Sequence, residues 1–304
     1  MPDADRRLPA GAEIFLDHVA HFVPDRGAAR EALTCAGFQA TPVSIQVDPG
    51  SDPPSPTGTG NVTAMLRRGY IEVLFKTADT ALGRELDAAL ARHAGVHLAA
   101  FSVADAGAAH ARLAASGFRV RPLVAMQRPV ETESGTGTAA FTVARVEATE
   151  MAEGRIQILT HHTEGAVWQP RWLTHPNGAT GLLDLAIAVA DVDEAARRFA
   201  RFTARPAEPT PYGRAVRLDR GRVQLMDRNA FAKLLPELAI PSLPFAGAYG
   251  MRVESLARAE AVLRDAGLPF RRDGRALVAR FPEALGIGAW VFVEAPENMP
   301  WRSC

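Results

Sequence analysis

Short apolar stretches carrying a single polar residue recur along this chain, and each runs into an acidic or polar helix start. The first is Phe15-Leu16-Asp17-His18-Val19-Ala20-His21-Phe22-Val23-Pro24-Asp25, followed by an Ala/Arg/Leu segment over 26–36. Val96-His97-Leu98-Ala99-Ala100-Phe101-Ser102-Val103-Ala104-Asp105 and Leu182-Leu183-Asp184-Leu185-Ala186-Ile187-Ala188-Val189-Ala190-Asp191 repeat the plan, and Ala248-Tyr249-Gly250-Met251-Arg252-Val253-Glu254 is a weaker fourth copy. The spacing predicts helices over 105–116, 191–202 and 254–266, with Val192, Ala195, Ala196 and Phe199 on one face of the second, and Leu256, Ala259, Val262 and Leu263 on one face of the third. Acidic residues stand at helix starts, and Gly117 and Gly267 follow two of the helix ends, as capping requires. Closing strands also match: Gly69-Tyr70-Ile71-Glu72-Val73-Leu74, Gly154-Arg155-Ile156-Gln157-Ile158-Leu159 and Gly221-Arg222-Val223-Gln224-Leu225-Met226 share a turn glycine and a polar residue amid β-formers. Gly288-Ala289-Trp290-Val291-Phe292-Val293 is the fourth version, with the polar position lost. A repeat on this scale predicts four βαβββ modules.

Residues 48–60, rich in Pro, Gly, Ser and Thr, read as a mobile loop, and residues 131–138 as a second one. The division is a tail over 1–13, a first two-module domain over 14–164, a linker over 165–180, a second domain over 181–296 and a tail over 297–304. Composition removes whole classes of function. Thirty-four basic residues balance 34 acidic ones, so no nucleic-acid or polybasic membrane footprint exists. Neither a spanning segment nor a secretory signal is present, so a cytoplasmic protein of bacterial composition is expected. Cys35 and Cys304 form no disulfide framework and no metal-binding spacing. Phosphate loops and nucleophile elbows are also missing, so no nucleotide cofactor is expected.

Leu16-Asp17-His18-Val19 with Val23-Pro24-Asp25, Gly60-Asn61-Val62-Thr63-Ala64 with Tyr70-Ile71-Glu72-Val73-Leu74, and His175-Pro176-Asn177-Gly178-Ala179 together resemble the vicinal oxygen chelate superfamily, in particular its glyoxalase-like and bleomycin-resistance/dioxygenase-type proteins. The resemblance covers about residues 14–295. It implies an α+β fold of tandem βαβββ modules, paired into two curved mixed sheets of the glyoxalase/dioxygenase type. Metal ligands in that superfamily come from the first and last strands of each module, which carries over to His18 and Glu72 in the first module, and to His97 and Gln157 in the second.

Imidazole nitrogen plus carboxylate oxygen suits Fe, Mn, Ni, Co or Zn, and His97 would complete two histidines and one carboxylate. Strand parity opposes that third ligand. His18 stands five residues before Val23 and His97 six before Val103, so Leu98 faces the cavity unless a bulge intervenes. Gln157 cannot replace the general-base glutamate familiar at that position in glyoxalase I, which argues against lactoylglutathione chemistry, but it remains a candidate contact to substrate or metal-bound water. Asn61 and Thr63 are candidate substrate contacts. For His18 a bond to Asp17 or a backbone carbonyl is the alternative to ligation. His21 reads as packing, His161-His162 as rim, Trp168 and Trp172 as packing between halves, and His175 as part of a turn. The second half offers Asp184, Gln224, Tyr249 and Val291 at the matching positions, too few donors for a metal, and reads as a scaffold or second cavity.

Two functions follow. One is a divalent-metal-dependent lyase, isomerase or dioxygenase acting on a small molecule with vicinal oxygens, with Glu72 and Gln157 as candidate catalytic groups. The other is a metal-free protein that binds or sequesters a small molecule. Module pairing within one chain or across a homodimer is open at this point.

Overall fold

The computed structural model describes residues 6–48, 50, 55–133 and 135–302. The first half runs β1 (Ile14–Phe22), α1 (Arg26–Cys35), β2 (Ser44–Asp48), β3 (Ser55–Met65), β4 (Tyr70–Lys76), α2 (Ala81–Leu90), β5 (Gly95–Val103), α3 (Ala106–Ala115), β6 (Val124–Thr132), β7 (Gly135–Arg145), β8 (Arg155–His161) and the short α4 (Glu164–Val167). The second runs β9 (Ala179–Ala188), α5 (Val192–Thr203), β10 (Ala207–Thr210), β11 (Gly213–Arg217), β12 (Arg222–Met226), α6 (Arg228–Leu234), β13 (Phe245–Val253), α7 (Leu256–Asp265), β14 (Phe270–Asp273), β15 (Ala276–Arg280) and β16 (Ala289–Val293). Four βαβββ units follow one another, as the repeat predicts.

Modules one and two close into a barrel of order β1-β4-β3-β2-β6-β7-β8-β5, and modules three and four form an eight-stranded sheet, β10-β11-β12-β9-β13-β16-β15-β14. In each module the first strand runs parallel to the last, as β1 does to β4. Asp25, Asp105 and Asp191 cap α1, α3 and α5 through side-chain bonds to backbone N–H groups, and Ser255 caps α7. The long 48–60 loop is cut short by β3, which starts at Ser55; Pro49 and residues 51–54 lie outside the described residues, as does Cys304. The segment expected as a loop over 131–138 is instead the turn of the β6–β7 hairpin, whose register runs to Thr132↔Gly135; Ser134 is outside the described residues.

The outer faces of both sheets share one core with the helices, in which Leu33, Phe38, Leu113, Phe199, Leu263 and Trp290 are buried. Backbone bonds Leu16 N–H to Arg220 O (2.7 Å), Leu182 N–H to Arg68 O (2.8 Å) and Ile287 N–H to Ala94 O (2.9 Å) bind the halves together. His21 contributes at this seam: Nδ1 meets Leu285 O and Nε2 meets the Tyr249 hydroxyl, each at 2.8 Å. No helix among the described residues is long and apolar enough to cross a membrane.

The inner faces of the two sheets differ. That of the second is filled by Phe231, Leu234, Leu235 and Leu238, together with Met299 and Trp301 from the segment read as a C-terminal tail. Trp301 is fully buried and donates Nε1–H to Asp184 Oδ2 at 2.7 Å, and Arg302 pairs with the same carboxylate. That face is therefore packed scaffold rather than an open second cavity. Trp301→Ala is expected to cost about 3–5 kcal/mol, because it leaves a large void and removes one of the bonds to Asp184. Denaturant unfolding checks this, and a loss below about 1 kcal/mol would contradict the plug.

Candidate functional site in the first barrel

The barrel interior holds His18, Asn61, Glu72 and Gln157 of the polar residues that the sequence singles out. Leu16 pairs with Phe101 and His18 with Ala100, so a bulge at Asp17 interrupts the β1–β5 ladder. Bulges re-aim side chains, and here Asp17 comes to lie beside the His18 imidazole. Parallel pairing of β1 with β4 sets His18 opposite Tyr70 and Ala20 opposite Glu72. The resulting cavity is small, with about 50 Å³ open to the centres of water-sized spheres, enough to hold water or a small group. Its polar lining includes His18, Asn61, Tyr70, Glu72 and Gln157 with Arg128, Arg145 and Arg155; Leu74, Leu98, Met126, Phe141, Val143 and Leu159 form the apolar wall.

His18 Nδ1 bonds Asp17 Oδ1 at 2.7 Å, and its Nε2 stands 3.5 Å from Glu72 Oε2. Asp17 Oδ2 bonds His161 Nε2 at 3.0 Å. Burial alone would raise the Asp17 pKa, but His161 and His18 overcome it and hold the carboxyl well below the usual range. The Tyr70 ring stacks on His18, with centroids 4.3 Å apart and planes 21° apart. Burial, with Asp17 and Glu72 nearby, pushes the Tyr70 phenol well above its ordinary pKa, so it stays protonated. Glu72 Oε1 accepts from Asn61 Nδ2 at 2.5 Å. The imidazole is thus fixed by a carboxylate behind it, and Glu72 is held from one side while its other oxygen faces His18.

The turn glycines show how the modules correspond. A Cβ on Gly69 would lie 2.6 Å from Asp17 O, one on Gly154 2.4 Å from His97 O, and one on Gly288 2.7 Å from Gly247 O. All three have φ in the left-handed region, which glycine adopts without strain. The matching makes His97 the counterpart of Asp17, and Leu98 that of His18. The β5–β8 register agrees, pairing Leu98 with Arg155 and Ala100 with Gln157 as β1–β4 pairs His18 with Tyr70 and Ala20 with Glu72.

His97 therefore does not join His18 and Glu72, a correction to its reading as a third metal ligand. It lines a crevice at the barrel end with Phe22 and Arg92, and its Nε2 bonds His93 O at 2.8 Å. Burial drops its pKa to about 4. Gln157 does reach the cavity, but its Oε1 accepts from Arg145 Nε at 3.0 Å. Asn61 reaches it too. Thr63 does not: its hydroxyl pairs with Thr41 at 3.0 Å, outside the site. In module four the counterpart of His18 is Ala248, because Tyr249 turns outward to His21. His161 is buried against Trp168 and Phe141 rather than lying at the rim. His175 holds the linker turn, accepting Gln39 N–H on Nδ1 and bonding Met65 O through Nε2. Arg128, Arg145 and Arg155 escaped the sequence reading, since nothing in the local pattern separates them from the other basic residues.

A resident Fe, Mn, Ni, Co or Zn ion does not fit these residues. His18 Nε2 and Glu72 Oε2 are two donors, where open catalytic sites use three protein ligands. The module-two counterparts are Leu98, which cannot ligate, and Gln157, whose oxygen is already engaged. Among the described residues no three His, Cys, Asp or Glu side chains converge as a metal site. Arg128 and Arg145 line the same space and would add positive charge beside any cation held there.

Comparison with known proteins agrees on the fold. A family model described as a glyoxalase-like domain matches residues 16–203, more than half of the chain. No curated protein sequence matches. Among solved structures, a hypothetical protein from Staphylococcus aureus is similar with a TM-score of 0.65 at 9% identity, over 92% of this chain and 98% of that one. A triple mutant of 4-hydroxymandelate synthase from Streptomyces coelicolor gives 0.52 at 14% identity, over 92% of each chain. A xylose isomerase-like TIM barrel/4-hydroxyphenylpyruvate dioxygenase fusion protein gives 0.54 at 13% identity, over 94% of this chain and 50% of that one. With its four βαβββ modules and the family match across the barrel, the chain belongs to the glyoxalase-like domain family of the vicinal oxygen chelate superfamily.

Proposed function

We propose that the first barrel is a metal-independent proton-transfer site of the lyase or isomerase kind, acting on a small molecule with vicinal oxygens. The observation that carries this reading is the Glu72–His18 pair: a buried carboxylate and a carboxylate-oriented imidazole, 3.5 Å apart at the wall of the barrel cavity. Glu72 is the group placed to take a proton from carbon. His18, its Nδ1 tied to Asp17 Oδ1, presents Nε2 to the same region and can pass a proton to or from a substrate oxygen. Tyr70 stays protonated beside them and offers an O–H to a developing oxyanion. Arg128 and Arg145 supply positive charge around that oxyanion, and the apolar wall keeps water from the reacting carbon. A metal-dependent dioxygenase would need the donors that module two lacks.

The test is proton–deuterium exchange at carbon, followed by NMR in D2O, on a panel of 2-oxo and 2-hydroxy compounds. Wild type is expected to catalyse exchange on at least one of them. Filling the cavity with Leu98→Trp, or more mildly with Leu159→Phe, is expected to stop it in protein that remains folded by circular dichroism. Exchange that persists with the cavity filled contradicts the site. Binding without exchange on any compound contradicts the enzyme reading and supports sequestration, the function that the apolar wall would also serve.

A further inference from the structure

Three arginines line the cavity, and they differ in how they are partnered. Arg155 is neutralised by Glu85, whose Oε2 accepts from its guanidinium at 3.0 Å. Arg128 and Arg145 remain, with Glu72 as the carboxylate lining the same cavity and the ionised Asp17 behind His18. The two arginines are not equivalent. Arg145 is held by Gln157 and by the Met126 sulfur. Arg128 is 7% exposed and lines the cavity, and its guanidinium makes no hydrogen bond or ion pair among the described residues. Burial lowers its pKa, and the nearby Tyr70 and Glu72 partly offset that. It nevertheless makes no bond to Glu72, whose oxygens are turned to Asn61 and His18. Its nitrogens open onto the cavity rather than being sealed away, so the fork is free to take a ligand, and buried charges are normally paired.

We infer that Arg128 is the seat of a ligand carboxylate, and that the substrate class is small organic monoacids with an apolar body. A carboxylate is planar and accepts two parallel N–H bonds from one guanidinium. A phosphate dianion would place a second negative charge beside Glu72. The body of the ligand would lie against Leu74, Leu98, Phe141 and Leu159, all lining the same space. This rests on the barrel being the ligand site, and it adds what that site selects.

The test is calorimetric binding of benzoate and hexanoate against benzamide and hexanamide, which match them in shape but carry no charge. Wild type is expected to bind at least one acid about ten-fold or more tighter than its amide. Arg128→Gln is expected to erase that preference, and Arg128→Lys to retain part of it, as a point charge without the planar fork. Equal affinity for acid and amide, no binding of either acid, or a preference that survives Arg128→Gln overturns the assignment. Leu98→Trp separates the two levels. Amide binding that it abolishes, with no acid preference in wild type, leaves the barrel site standing and removes only the carboxylate. Acid binding that it leaves intact places the ligand elsewhere and removes both.

Discussion

Glu72→Gln is expected to lower the rate of carbon-proton exchange by about 10²–10⁴-fold, the usual contribution of a positioned general base. Glutamine keeps the volume of the side chain, and its carbonyl can still accept the Asn61 Nδ2 bond. What it loses is the ability to accept a proton on the oxygen that faces His18. The loss should therefore fall in kcat, with KM little changed, because the change removes an interaction used in the transition state rather than one that binds substrate. Steady-state exchange kinetics on wild type and variant decide this. A rate within about two-fold of wild type would show that Glu72 does not handle the proton.

Acidification from pH 7 to pH 4 is expected to destabilise the fold strongly, and mainly through imidazoles. Burial drops the His21 pKa to about 4, with Leu285 O partly offsetting the shift and His97 adding to it. His97 and His93 are also lowered to about 4, first by burial. In the unfolded chain these groups titrate near 6.5, so between about 6.5 and 4 the unfolded state binds more protons and stability falls as pH falls. For fully buried His21 alone the shift corresponds to about 3 kcal/mol. The His93 and His97 rings lie 4.2 Å apart, tilted by 37°, so their contributions are coupled and do not simply add. Asp17 works in a lower window. Its folded pKa is depressed, so its contribution is complete above the ordinary carboxylate range and is lost only as pH falls below about 4. Urea unfolding at pH 7, 5.5 and 4 measures the slope, and His21→Gln is expected to flatten it. A stability that is unchanged across that range would contradict the burial of uncharged imidazoles at the seam between halves.

Much of the architecture is legible in the sequence because the repeat is written in period and punctuation together. Strands with one polar residue, aspartate caps at 25, 105 and 191, and turn glycines at 69, 154, 221 and 288 are local signals, and each keeps its meaning in the fold. His18 and Glu72 could be paired because opposite ends of one module meet through parallel strand pairing. His97 shows where residue type misleads and geometry does not. Histidine in an apolar strand looks like a ligand, but the count to Val103 puts Leu98 on the inner face, and the close approach of Gly154 to His97 O fixes that register. The cationic half of the cavity could not be read in advance. Arg128 precedes a proline in a strand of mixed exposure, and only closure of the barrel from β6 to β2 turns it inward. The plugging of the second sheet by Trp301 depends likewise on a chain end returning across a long sequence separation, which no local pattern records.

The most direct measurement is metal content, by elemental mass spectrometry, of protein purified without a histidine tag, for wild type and His18→Ala. With two donors and two arginines where a metal centre would sit, Fe, Mn, Ni, Co and Zn are all expected far below one equivalent in both proteins. One tightly held equivalent in wild type that disappears with His18→Ala would contradict the metal-independent site.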